Sequence, residues 1–373
     1  MFEWLIDPYN YPFWVIIIAI IAVAIFTISR YLSTPIKFIY PNAKFEAIGN
    51  PFVKEKELNR LLDSKNLTTL KDSLNTLRDY KVSGENAFEM QHSLDENLVK
   101  TIEMMRRDSS KKMSDFYDVY LEKLDIYLIK NELKRKIEGK KTETNVLEDA
   151  VLPKTRELLQ KLQYAEKKDI PGVLKKYGFE KDILEVVSNV DIDFLTLDTL
   201  LDKHVINRFK QVKVPRKCEE TKQRFVNIML DIQNIKNILR AKHIGYDETT
   251  CSKLFLGAGQ EIATWKFKEL AEAENVSQVI LHLEGTSYYD SLKDSIEVYN
   301  KEKSVQLLEN TLDGYFLKTM KELSVQNYTH IGPTLRFIVS KEFEIKNLKI
   351  IAKGLAENLP SGFTKNLLTV EAV

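Results

Sequence analysis

Phe13 to Ile28 is a run of sixteen residues without a single charge, and no other feature constrains the fold of this chain as strongly. With Tyr11 to Leu32 as its shoulders, the run is long enough to cross a hydrocarbon core of ~30 Å. A buried helix of a soluble core rarely extends so far without a polar residue. A cleaved leader needs a basic segment ahead of its apolar stretch, whereas Glu3 and Asp7 precede this one and no Lys or Arg does. The expectation is one retained span in the cell membrane. Arg30, Lys37 and Lys44 follow it and hold the bulk of the chain on the cytoplasmic side. Trp4, Tyr9, Tyr11, Trp14 and Tyr31 are placed for the two membrane interfaces.

Beyond the span the chain is polar and helical in period. Gly 13 and Pro 10 are low counts for 373 residues, so long helices with short connections are expected. Lys+Arg 55 against Asp+Glu 54 leaves a net charge of +1, without the basic footprint that nucleic acid requires. Cys218 and Cys251 are the only cysteines, read as reduced thiols, and the five histidines show no zinc-like spacing. No metal and no cofactor are expected.

Internal similarity organises the rest. Asp125-Ile126-Tyr127-Leu128-Ile129-Lys130 recurs as Asp231-Ile232-Gln233-Asn234-Ile235-Lys236 and as Glu344-Ile345-Lys346-Asn347-Leu348-Lys349. A further base follows each lysine four residues on: Lys134, Arg240 and Lys353. Upstream of each segment lies a second signature, Leu94-Asp95, Leu201-Asp202 and Leu312-Asp313. At about 100° per residue, Ile126, Ile129 and Leu133 form one apolar stripe, as do Ile232, Ile235 and Leu239, and Ile345, Leu348 and Ala352. Leu94, Leu98 and Ile102 form another, repeated by Leu201, Val205 and Phe209 and by Leu312, Phe316 and Met320. Asn66, Asp169 and Asn275 stand where short helices begin and are candidate N-caps.

Pro and Gly mark the joins: Pro41, Gly49 and Pro51, then Val151-Leu152-Pro153, then Leu256-Gly257-Ala258-Gly259. The segment from Lys136 to Asn145 reads as an exposed loop. The expected architecture is all-α: an anchor over 1–35, then three tandem helical repeats over 36–150, 151–258 and 259–373.

These residues resemble the C subunit of the archaeal A-type (V-type) ATP synthase, which is similar to the d subunit of the vacuolar ATPase. The resemblance rests on Tyr40-Pro41-Asn42-Ala43-Lys44-Phe45, on the segment from Asp231 to Lys242, and on the segment from Glu344 to Lys353. The first copy departs from the pattern, with Leu128 where the others carry Asn234 and Asn347. The resemblance implies a pseudo-threefold funnel that joins the membrane proteolipid ring to the central shaft. It passes torque for proton- or sodium-coupled ATP synthesis and carries no catalytic group.

Other chemistry reads poorly. Gly257-Ala258-Gly259 lacks the third glycine of a dinucleotide loop, since Ile262 stands there. The acids Asp95, Asp202, Asp313, Asp125, Asp231 and Glu344 recur in every copy, whereas a catalytic site needs unlike groups converging once. With Lys130, Lys236 and Lys349 they are read as a repeated structural device, partners for bases on neighbouring helices or helix-end contacts. Lys210, Lys213, Arg216 and Lys217 form a basic loop, and Tyr288, Tyr289 and Tyr315 are candidate interface anchors. A membrane-tethered scaffold or adaptor with no role in ATP synthesis is the competing reading. An enzyme would need a polar pocket for which no residues stand out.

Overall fold

The computed structural model describes residues 11–49, 55–77, 79–140, 146–189 and 191–371. Trp4, Tyr9, Glu3, Asp7, Pro51 and positions 141–145 of the expected loop lie outside them. The fold is all-α, with no strand among the described residues.

Seven helices set the plan. The first, α1 (Tyr11–Ile48), is long and apolar enough to cross a membrane by length and composition. Three pairs follow: α2 (Ala87–Asp108) with α3 (Ser114–Ile137), α4 (Phe194–Gln211) with α5 (Glu219–Ile244), and α6 (Val305–Gln326) with α7 (Gly332–Ala356). Each pair turns through a few residues, a 3-10 turn at Lys111–Met113, another at Arg216–Cys218, and the stretch 327–331. Short helices fill the segments that lead into each pair.

The apolar stripes read from the sequence face inward. Leu94, Leu201 and Leu312 are each fully buried, as are Leu133, Leu239 and Leu348. Between the pairs the core becomes aromatic: Phe116 of α3 meets Phe209 of α4 and Phe225 of α5, and Phe225 stacks on Phe316 of α6 at 6.1 Å. Burying each such ring contributes about 1.5–3 kcal/mol, so this seam binds all three pairs into one core.

α1 runs without a break through residue 35 and through Pro41, which lies inside the helix and does not mark a join. A proline in a helix interior removes one N–H and leaves the carbonyl four residues back without its partner, at about 3 kcal/mol. Two things offset that here. Phe38 and Phe45 are buried, Phe45 stacking on Phe337 of α7 at 5.2 Å. Pro35 frees the carbonyl of Tyr31, and Lys217 Nζ donates to that oxygen at 2.9 Å while lying 3.6 Å from the Tyr31 ring centroid. The basic loop therefore supplies the hydrogen bond that the helix lost.

Three other expectations change. Asn66 and Asn275 cap their helices, accepting from the N–H of Thr69 and of Gln278, but Asp169 makes no capping bond. It ends a 3-10 turn in helical backbone geometry, with Pro171 in the first turn behind it, so its side chain has no capping position. Tyr288 is fully buried and belongs to the core, not to an exposed surface. Lys136 and Ile137 are the last residues of α3, not loop.

Candidate functional site

The repeated acids and bases meet where the helix pairs join. Lys130 of α3 donates to Asp202 Oδ1 of α4 at 2.6 Å. Lys236 of α5 donates to Asp313 of α6, whose other oxygen accepts from Lys346 at 2.9 Å. Lys349 of α7 donates to Asp95 Oδ2 of α2 at 2.5 Å, a contact that returns from the last pair to the first across 254 positions. Each base therefore reaches the upstream acid of the following pair, and the last reaches the first.

The second bases add to two of these joints. Lys134 binds Asp198, and the Arg240 guanidinium grips Glu309 through two nitrogens, a fork geometry that fixes orientation as well as distance. One turn before Asp95 stands Gln91 where the other joints have Asp198 and Glu309. Lys353 consequently pairs within its own helix end, with Glu357 at 2.6 Å. Beside this third joint opens a cavity of about 590 Å³, lined among others by Gln91, Leu98, Leu124, Phe343 and Lys349. The α7–α2 joint thus lacks the second base–acid pair that the other two carry.

The other acids bind the segment leading into the next pair. Asp125 accepts from the backbone N–H of Val151 and Leu152 at 2.8 and 2.9 Å. Asp231 accepts from the N–H of Gln260, Glu261 and Ile262 at 2.9, 2.7 and 3.1 Å, and from the Tyr288 hydroxyl at 3.0 Å. Glu344 accepts from the Tyr80 hydroxyl and from Lys341 at 2.6 Å. Burial pushes the Glu344 carboxyl well above its ordinary range and lowers Lys341 to about 8.

The amides follow suit. Asn234 donates to the carbonyl of Gly257 and accepts from the N–H of Leu256, each at 2.9 Å. Asn347 makes the same pair of bonds to Thr369, at 2.7 and 2.9 Å, so the C-terminal stretch is read as the linker is. Leu128, which departs from the pattern, leaves the first pair without this clamp.

This geometry accounts for the glycines at 257–259. The loop N–H groups converge on a carboxylate, that of Asp231, and a Cβ on Gly259 would lie 1.9 Å from Asp231 Oδ1. The glycine is required for close approach of this chain's own acid. The nine repeated positions thus all hold partners within the chain, and a carboxylate fixed by three N–H groups is poorly placed to shuttle protons.

Sequence reasoning missed His204, which carries no periodic signal. It is buried on α4, stacks on Phe179 at 4.5 Å, and lies 2.6 Å from Glu180 and 3.4 Å from Glu122. Burial alone would lower its pKa, but the two carboxylates outweigh it and raise the pKa above the ordinary 6.5. A histidine whose folded pKa exceeds its unfolded one contributes stability in full below 6.5 and loses it as pH rises through the folded value. The denaturation midpoint is therefore expected to fall between about pH 6 and pH 8, and His204→Gln to flatten that dependence. Urea titrations followed by helical circular dichroism at both pH values check this.

Comparison with known proteins gives a consistent result. Residues 41–367 match the family model described as ATP synthase (C/AC39) subunit. A protein of Methanocaldococcus jannaschii, named as the C subunit of the A-type ATP synthase, is 31% identical over 351 residues, covering 89% of this chain and 86% of its own length. Its namesake in Methanobrevibacter smithii is 31% identical over 353 residues, covering 91% and 90%. That of Pyrococcus horikoshii is 25% identical over 338 residues, covering 89% and 90%.

Proposed function

We propose a mechanical role from one premise: the chain belongs to the ATP synthase (C/AC39) subunit family and is a subunit of an A-type ATP synthase, a membrane-associated complex. Its role in our reading is to couple the two halves of the machine as part of the central stalk. It sits between the membrane proteolipid ring and the central shaft, and it transmits torque during proton- or sodium-coupled ATP synthesis without catalysing a step itself. The segment around Tyr11 to Leu32 spans the cell membrane once, and the rest of the chain stands on the cytoplasmic side.

The observation that carries this reading is the closure of the three joints. Lys130 with Asp202, Lys236 with Asp313 and Lys349 with Asp95 repeat one contact in cyclic order. We read the segments 36–150, 151–258 and 259–373 as equivalent units around a pseudo-threefold axis, a hollow funnel with one face for the ring and one for the shaft. A closed set of units has no free edge, so a twisting load on one unit is shared by both its neighbours. Detaching any one unit from its neighbours requires breaking both of its joints. Repeated positions used for fixing geometry, not for chemistry, are what a torque-bearing part needs.

Affinity purification of the tagged full chain from native membranes, followed by mass spectrometry, tests the role. Proteolipid, shaft and head subunits are expected in near-stoichiometric amounts. Recovery of the chain without them would support a tethered scaffold instead.

A further inference from the structure

The docked end of α1 is held by all three inter-helix turns. Lys217, in the α4–α5 turn, binds the carbonyl of Tyr31 at 2.9 Å. Asn42 donates to the carbonyls of Tyr328 and His330, in the α6–α7 turn, at 2.8 and 2.9 Å. Lys44 binds Asp108, the last residue of α2 before its turn into α3, at 2.5 Å. A helix at the rim of the body would reach one turn, or two neighbouring ones. α1 touches three, so it rises where the turns converge.

The continuity of α1 fixes its direction. Thr34, Phe38, Pro41, Asn42 and Phe45 are buried against the body, while the stretch 15–33 is exposed apart from one half-buried residue. No loop intervenes between the docked and the free part, and the carbonyl freed by Pro35 is satisfied. The free part is therefore a stiff extension of the docked part, not a tether that swings.

We infer that the free part of α1 stands in the central pore of the proteolipid ring, surrounded by the acyl chains of lipids enclosed there. This rests on the coupling role proposed above. A body seated on the ring with α1 at its centre directs the helix into the opening. A helix that rotates with the body outside the ring would sweep through the bilayer and strike the non-rotating membrane subunits. Lipid is the occupant its surface fits: Ile16, Ile18, Ile20, Ile21, Val23, Ile25 and Phe26 are all more than half exposed and point to every side. From Phe13 to Ile28 the helix carries no charge, and these large apolar side chains project from it in every direction.

The test uses the intact complex purified through this chain, with Ile20→p-benzoylphenylalanine as a photo-crosslinking reporter and cryo-EM of the same sample. Helix density on the ring axis, with lipid adducts at position 20, is the expected result. Density at the ring's outer edge, or adducts to a non-rotating membrane protein of the complex, would overturn the pore placement and leave the coupling role standing. A central helix with adducts only to proteolipid would overturn the lipid environment. A preparation lacking proteolipid altogether would overturn the coupling role itself.

Discussion

Asp231→Ala is expected to destabilise the chain by about 3–5 kcal/mol, because several buried donors lose their one shared acceptor. The carboxylate is fully buried and accepts from three consecutive backbone N–H groups and from the Tyr288 hydroxyl. Alanine leaves all four donors without that acceptor, and a buried unsatisfied polar group costs about 1–3 kcal/mol. Gly259→Ala attacks the same joint from the other side. Its Cβ would fall 1.9 Å from Asp231 Oδ1 and 2.7 Å from the carbonyl of Asn227, and the second neighbour is backbone that cannot swing away. The two changes share one cause and will not add: the double variant loses less than the sum of the singles. Urea midpoints of the full chain in nanodiscs, followed by helical circular dichroism, measure this directly. Independent losses at the two positions would refute the idea of a single carboxylate-bound loop.

Asp313→Leu has the second large effect. Lys236 and Asp313 are both nearly excluded from solvent, with side-chain exposures of 11% and 5%. Removing the acid strands a buried ammonium, at about 3–5 kcal/mol, whereas the paired replacement Asp313→Leu with Lys236→Met recovers most of it. Burial already lowers the Lys236 pKa against the pull of Asp313. With the acid gone the loss should shrink as pH rises toward the ordinary lysine value of 10.5, because the stranded amine sheds its proton. The corresponding change at Asp95 costs less than about 1 kcal/mol, since its pair is 33% and 49% exposed and is screened by solvent. The same motif thus carries different energies at different joints, graded by burial.

That grading shows what a sequence can and cannot disclose. The period of three to four residues places Leu94, Leu201 and Leu312 on buried faces, and the uncharged run marks a helix whose large apolar side chains are exposed. The spacing of Lys130 and Asp202 is equally visible, but periodicity assigns a residue to a face and says nothing of what stands opposite. Lys349 meets Asp95 only because α7 packs against α2 across most of the chain. His204 is similar: its two carboxylates come from α3 and from the residue before another short helix, and no local pattern links them. Pro41 misleads for the opposite reason. Its local signal is helix-breaking, and tertiary packing of Phe38 and Phe45 overrides it. The Gly257-Ala258-Gly259 motif is legible as a turn, yet nothing local shows that the N–H groups just after it, of Gln260, Glu261 and Ile262, bind the distant acid Asp231.

Zero-length carbodiimide coupling of the full chain in native membranes tests the closed arrangement most directly, because it joins a lysine amine to a carboxylate only where the two already touch. Peptide mass spectrometry should find Lys349 joined to Asp95 alongside Lys130 joined to Asp202. Coupling at Lys130 and Asp202 with none between Lys349 and Asp95 would mean that the last helix pair does not return to the first, and the closed connector would be contradicted.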